Sequence, residues 1–150
     1  MAKATAEEAA LTKQKIIDTA VSITLTQGFK EVTLGNLAKH IGISRSGINC
    51  HFQYKADIAA AIEPELTTIL HASIDFSSCD SFEATWVRAI QFDVKFRSCI
   101  AALGPVIPSS IGFESLVKKI NHGDLSHRQE KVYKCLGYAL VEIDRIARTE

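Results

Sequence analysis

The tightest constraint on this chain lies between Val32 and Lys55, in VTLGNLAKHIGISRSGINCHFQYK. Leu34, Leu37, Ala38 and Ile41 fall at i, i+3, i+4 and i+7, which is one apolar stripe on a short helix. Gly42 breaks the pattern, and Ile48 and Phe52 begin a second stripe at i and i+4. Gly42, Ile43 and Ser44 are too few for anything but a tight corner between two short helices. Glycine at 42 can take the positive φ that ends the first helix, and Ser44 can accept from the free N–H groups that start the second. Thr33 is placed to cap the first helix in the same way. Ala38 is small where the two helices must approach.

Helix, glycine corner and helix of these lengths describe a helix-turn-helix, whose second helix enters the major groove of DNA. Burying Leu37, Ile41, Ile43, Ile48 and Phe52 turns Arg45, Ser46, Gly47, Asn49 and Cys50 outward. Arginine donates two hydrogen bonds to guanine O6 and N7, and asparagine pairs likewise with adenine N6 and N7. Gly47 weakens its helix by about 1 kcal/mol relative to alanine, which is easier to understand if the backbone comes close to something such as a phosphate. An ordinary amphipathic hairpin shares the stripes. The capped corner, the small residue and the basic outer face argue for the DNA-facing reading.

From Lys15 to Ile58 the chain resembles the DNA-binding domain of the tetracycline-repressor (TetR) family of transcriptional regulators. The strings IIDTAVSITLTQGF, VTLGNLAKHIGISRSGINCHF and YKADI stand in the family's order and with its spacings, over a little under a third of the chain. The resemblance implies that Thr33 touches a phosphate and that Arg45, Ser46, Gly47 and Asn49 lie on the recognition face. It implies further that His51 contacts the DNA backbone and that Lys55 holds a phosphate at the start of the fourth helix; Ser44 and Tyr54 belong to the same DNA-binding set. Two positions depart from the pattern: Asn49 stands where many members have tyrosine, and Thr24 where an aromatic is usual.

Composition bounds the alternatives. The 150 residues are 47% apolar, ample for one domain or for two small ones sharing a core. No run approaches the roughly 18 apolar residues that span a membrane, and MAKATAEEAALTK has no apolar core, so neither a membrane nor a secretion signal is expected and a cytoplasmic location is. Net charge is zero, but Lys30, Lys39, Arg45 and Lys55 face only Glu31 within 30–55. A small basic face on a neutral body suits a limited DNA footprint. Cys50, Cys79, Cys99 and Cys135 lack a Cys-x-x-Cys pair and read as reduced thiols, with Cys50 on the DNA face open to oxidation. His122 and His127 flank a glycine turn and do not share a helix face, so they read as loop residues and no metal is expected. No catalytic signature and no cofactor motif is present, and the chain reads as a non-enzyme.

In chain order, residues 1–10 read as a frayed arm, and a helix over Leu11–Gln27 stops at Gly28, with Ile16, Ala20 and Ile23 inward. Phe29 and Val32 then lead back into the core. A fourth helix from about Tyr54 towards Phe76 contains Pro64, which predicts a kink or break near Ile62–Glu63. Asp80-Ser81-Phe82-Glu83 reads as a capping box for a fifth helix, with Phe82, Trp86, Ile90, Val94, Ile100 and Leu103 inward, Asp93 as an interruption, and Gly104, Pro105 and Pro108 as its end. A helix over Ser110–Ile120 follows, with Ile111, Leu116 and Ile120 inward. Ser126-x-x-Gln129 reads as a capping box for the last helix, whose Val132, Leu136, Ala139, Leu140, Ile143 and Ala147 share a face.

The expected architecture is all-α: a three-helix helix-turn-helix DNA-binding domain over 1–55, then a short helical effector-binding and dimerisation domain over 56–150. The last helix closes its own domain or pairs with a second copy; the resemblance favours a homodimer. Phe76, Trp86, Ile90 and Phe113, with Phe92 and Phe96, line a pocket for a small apolar effector or simply form core. The function that follows is a sequence-specific DNA-binding transcriptional regulator, a ligand-responsive repressor on a palindromic operator of double-stranded DNA. The alternative is a helical interaction module of the same fold that has lost DNA binding.

Overall fold

Thr5 opens the first helix. In the computed structural model, which describes residues 5–106 and 109–150, α1 spans Ala6–Gln27. The Thr5 hydroxyl accepts from the Glu8 N–H, and the Glu8 carboxylate accepts from the Thr5 N–H. This reciprocal cap extends the helix into residues expected to fray, and its Thr-x-x-Glu pattern was there to be read. α1 buries Ile16, Ala20, Val21 and Ile23, together with Thr24, whose hydroxyl donates to the Ala20 carbonyl at 2.7 Å. A polar side chain in the usual aromatic position is thus satisfied within its own helix.

A short 3-10 turn (Phe29–Glu31) leads through buried Phe29 and Val32 into α2 (Leu34–Ile41), α3 (Arg45–Asn49) and α4 (Lys55–Ala72). α4 passes through Pro64 as one element, so of the expected kink or break the break does not occur, and the helix ends before Phe76. The chain divides into two compact units, one ending at Leu66 and the other beginning at Thr67.

In the second unit α5 (Cys79–Phe92), α6 (Val94–Val106), α7 (Ser109–Lys119) and α8 (Leu125–Ala147) surround a core centred on Phe82, Trp86, Ile90, Phe96, Val132 and Ala139. Both expected capping boxes lie two residues too late. Ser78 caps α5 by accepting from the Ser81 N–H, and Asp124 caps α8 by accepting from the His127 N–H. An earlier start for α5 carries Cys79 into the core, where its thiol donates to the His122 carbonyl at 3.4 Å. Asp93 does interrupt: it ends α5 and accepts from the Phe96 N–H, opening α6.

α6 runs past Gly104 and Pro105 to Val106 instead of ending at them, while the expected stop at Pro108 lies outside the described residues. The carbonyls at two helix ends are met by arginines. Arg97 donates to Ile90 and Gln91 of α5, and Arg128 to Val117 of α7 and Ile120 just beyond it, where the helix dipole favours a cation. Val94, Ile111, Leu140 and Ala147, expected inward, are exposed. Strict helical spacing widened the apolar faces beyond the arc that neighbouring helices cover. No strand occurs among the described residues.

Candidate nucleic-acid interface

The corner between α2 and α3 is built as the side chains dictate. Thr33 is extended and accepts from the Asn36 N–H at 3.1 Å, capping α2. Gly42 adopts φ 80° and ψ 33°, and the Ala38 carbonyl receives the N–H groups of both Gly42 and Ile43, at 2.8 and 3.2 Å. Ser44 accepts from the Gly47 N–H at 3.0 Å and lies 3.1 Å from the Ser46 hydroxyl. Asn36 fastens the start of α2 to the preceding turn by donating to the Glu31 carbonyl at 2.8 Å. These local bonds fix the angle between two helices of eight and five residues.

Burial then sorts the faces. Leu37, Ile48 and Phe52 are buried, Ile41 and Ile43 half-buried, and Arg45, Ser46, Asn49 and Cys50 exposed. Thr33, Ser44, Tyr54 and Lys55 are exposed as well, and His51 is half-buried. Lys39 and His40 add exposed nitrogen groups from α2. The unit therefore presents several hydrogen-bond donors around α3, with guanidinium, hydroxyl and amide groups on α3 itself.

Four residues have roles within the protein that spacing alone did not suggest. A Cβ at Gly47 would lie 3.3 Å from the Ser44 hydroxyl and 3.5 Å from Ile43, so glycine there clears the capped corner itself. Lys55 donates to the Lys30 carbonyl at 3.2 Å and holds its ammonium 4.7 Å from the centre of the Phe29 ring. Tyr54 donates its N–H to the Asp57 carboxylate at 3.1 Å, at the start of α4. Gly35, which the apolar pattern passed over, lies beneath the guanidinium of Arg45.

In the second unit, the residues expected to line a pocket are distributed unevenly. Phe76, Trp86 and Ile90 are buried. A run of ring contacts joins Phe76, Phe82, Trp86 and Phe96 at centroid separations of 5.7, 5.5 and 5.2 Å. Phe113 is half-buried and stacks at 4.3 Å on exposed Tyr133, while Phe92 is 84% exposed and stands apart. The Trp86 indole N–H is fully buried and has no acceptor among the described residues. Burial pushes the Cys99 thiol up to about 11 and the Cys135 thiol up to about 12, so both stay protonated at neutral pH. Among the described residues no group of three or more metal-binding side chains occurs, and no helix is long and apolar enough to cross a membrane.

Residues 16–62, which contain this corner and its supports, match the family of bacterial regulatory proteins known as the tetR family. Over 91 residues, 60% of the chain, the sequence is 33% identical to the HTH-type transcriptional regulator SrpR of Pseudomonas putida. It is equally similar, over the same length, to the uncharacterized HTH-type transcriptional regulator TtgW, also of Pseudomonas putida. It is 39% identical over 62 residues, 41% of the chain, to the HTH-type transcriptional regulator AcrR of Shigella flexneri. The matched stretches span 41% of SrpR, 66% of TtgW and 29% of AcrR, so the chain covers less than two thirds of each. All three relatives are named as regulators rather than as enzymes. The helix-turn-helix unit over residues 16–62 is thus of the type found in the tetR family of bacterial regulatory proteins.

Proposed function

We propose that the protein is a sequence-specific DNA-binding transcriptional regulator that represses by occupying its operator. The observation that carries this reading is the split of α3 into a buried side, Ile48, and an exposed side, Arg45, Ser46 and Asn49, behind a corner capped at both helices. Arg45, Ser46 and Asn49 read base edges in the major groove. Thr33, Ser44, His51, Tyr54 and Lys55 contact the phosphate backbone and set the register, with Gly47 allowing the close approach of α3. Lys55 does so with the ammonium hydrogens that Lys30 leaves available.

The working unit in this proposal is a homodimer on a palindromic operator. Its support is an apolar strip on α8, where Tyr133, Leu140 and Val141 recur at i, i+7 and i+8 and are 66, 78 and 55% exposed. A two-fold pair presents two recognition helices to half-sites about 34–36 Å apart. The second unit answers to a small apolar effector. The support for that is the buried Trp86 N–H, which gains a hydrogen bond from an acceptor on such a molecule.

Selection of bound duplexes from a random library at near-physiological salt tests the proposal. An enriched inverted repeat with half-sites one helical turn apart is the expected result. No enrichment above background overturns it in favour of a helical interaction module, for which the apolar strip of α8 is the docking face.

A further inference from the structure

Gly35 is the second residue of α2 and has no conformational reason to be glycine. The glycines with positive φ are Gly28, Gly42 and Gly123, and Gly35 is not among them. Glycine is among the poorest helix formers, so at an ordinary helical position its presence needs another cause. The cause is space. A Cβ built at Gly35 would meet Arg45 Nη2 at 3.2 Å, with Arg45 Cζ and Nε both at 3.6 Å. These are the three nearest atoms apart from the neighbouring residues and the backbone of α2 itself, and every one of them belongs to a single guanidinium. Arg45 is exposed on α3, and no hydrogen bond or ion pair to another described residue holds it.

We propose that Gly35 is a specificity-determining position that acts through Arg45: the bare backbone of α2 is the shelf on which the guanidinium rests, and it sets where the donors of Arg45 present themselves to a base edge. The inference rests on the DNA-binding reading above. A bidentate contact needs two donors each about 2.7–3.2 Å from its acceptor, so a forced shift of a few tenths of an ångström weakens both bonds together. Alanine at 35 forces such a shift, and glutamine, which cannot lie beneath the guanidinium, forces a larger one. Neither removes a phosphate contact. Gly35 is therefore a positioning residue, and its effect on sequence preference separates from its effect on the helix.

The test compares wild type, Gly35→Ala, Arg45→Ala and the double variant by selection on randomised half-sites. Gly35→Ala is expected to lower discrimination at one base pair by about tenfold, with the slope of affinity against salt unchanged and Tm equal or higher. In the Arg45→Ala background, adding Gly35→Ala is expected to change no preference. A second readout needs no DNA: in protein labelled with 15N, the Arg45 Nε–H resonance is expected to move in Gly35→Ala. Gly35→Ala with wild-type discrimination overturns the inference, as does an Arg45 resonance that stays in place or an effect that persists without Arg45. Wild type that enriches no sequence overturns the DNA-binding reading and this inference with it, whereas a normal wild-type motif alongside an unaffected Gly35→Ala overturns the inference alone.

Discussion

A lysine that carries two jobs is harder to interpret than one that carries a single job, and Lys55 is such a residue. Its ammonium lies against the Phe29 ring and the Lys30 carbonyl, tying the start of α4 to the 3-10 turn. An exposed cation–π contact of this kind is worth about 0.5–1 kcal/mol. Lys55→Ala is therefore expected to lose about that much stability in urea unfolding, to weaken binding to all DNA sequences alike, and to reduce the salt slope by about one. Loss of affinity for one sequence only would remove Lys55 from the phosphate-binding set. Thr33, Gly42 and Ser44 were legible in the sequence because each role is decided within three or four residues of its own position. Lys55 and Gly35 were not, since their partners come from across a corner or from 25 residues away, and no window along the chain brings them together.

Among the elements, existence was easier to read than bounds. The expected caps of α5 and α8 were Asp80 and Ser126, and the observed ones are Ser78 and Asp124; all four side chains can cap a helix, so capping chemistry alone does not choose between them. Tertiary contacts choose. Cys79 belongs in the core, and Arg128 must reach the end of α7. The same region joins α5 to α8 through charge. Lys131 and Lys134 both pair with Glu83, and Lys131 lies 3.4 Å from Asp80. Hydrogen bonds from Lys131 and then Lys134 hold the Glu83 carboxyl below its ordinary value of 4.5. A depressed carboxylate stabilises the fold fully above that ordinary value, and the contribution is lost as pH falls through the lower native one. Tm measured from neutral pH down to about 3 is expected to fall less steeply in Glu83→Gln than in wild type. Parallel slopes would show that the four-residue cluster adds nothing to the pairing of the two helices.

At the scale of the molecule, two compact units predict two responses to denaturant, and the chain's one tryptophan belongs wholly to the second. Urea unfolding followed by indole fluorescence is expected to report the second unit alone, while far-ultraviolet circular dichroism reports both and shows an added transition. Coincident curves would mean that the units unfold as one. The cysteines divide along the same line. Cys79, Cys99 and Cys135 are buried in the second unit, and Cys50 is exposed where α3 ends. A maleimide dye added to the native, unaltered protein thus has one thiol to find, in the unit that Trp86 does not sense. The protein carries its own donor and its own attachment point, one in each half, so an optical ruler between them needs no engineered residue.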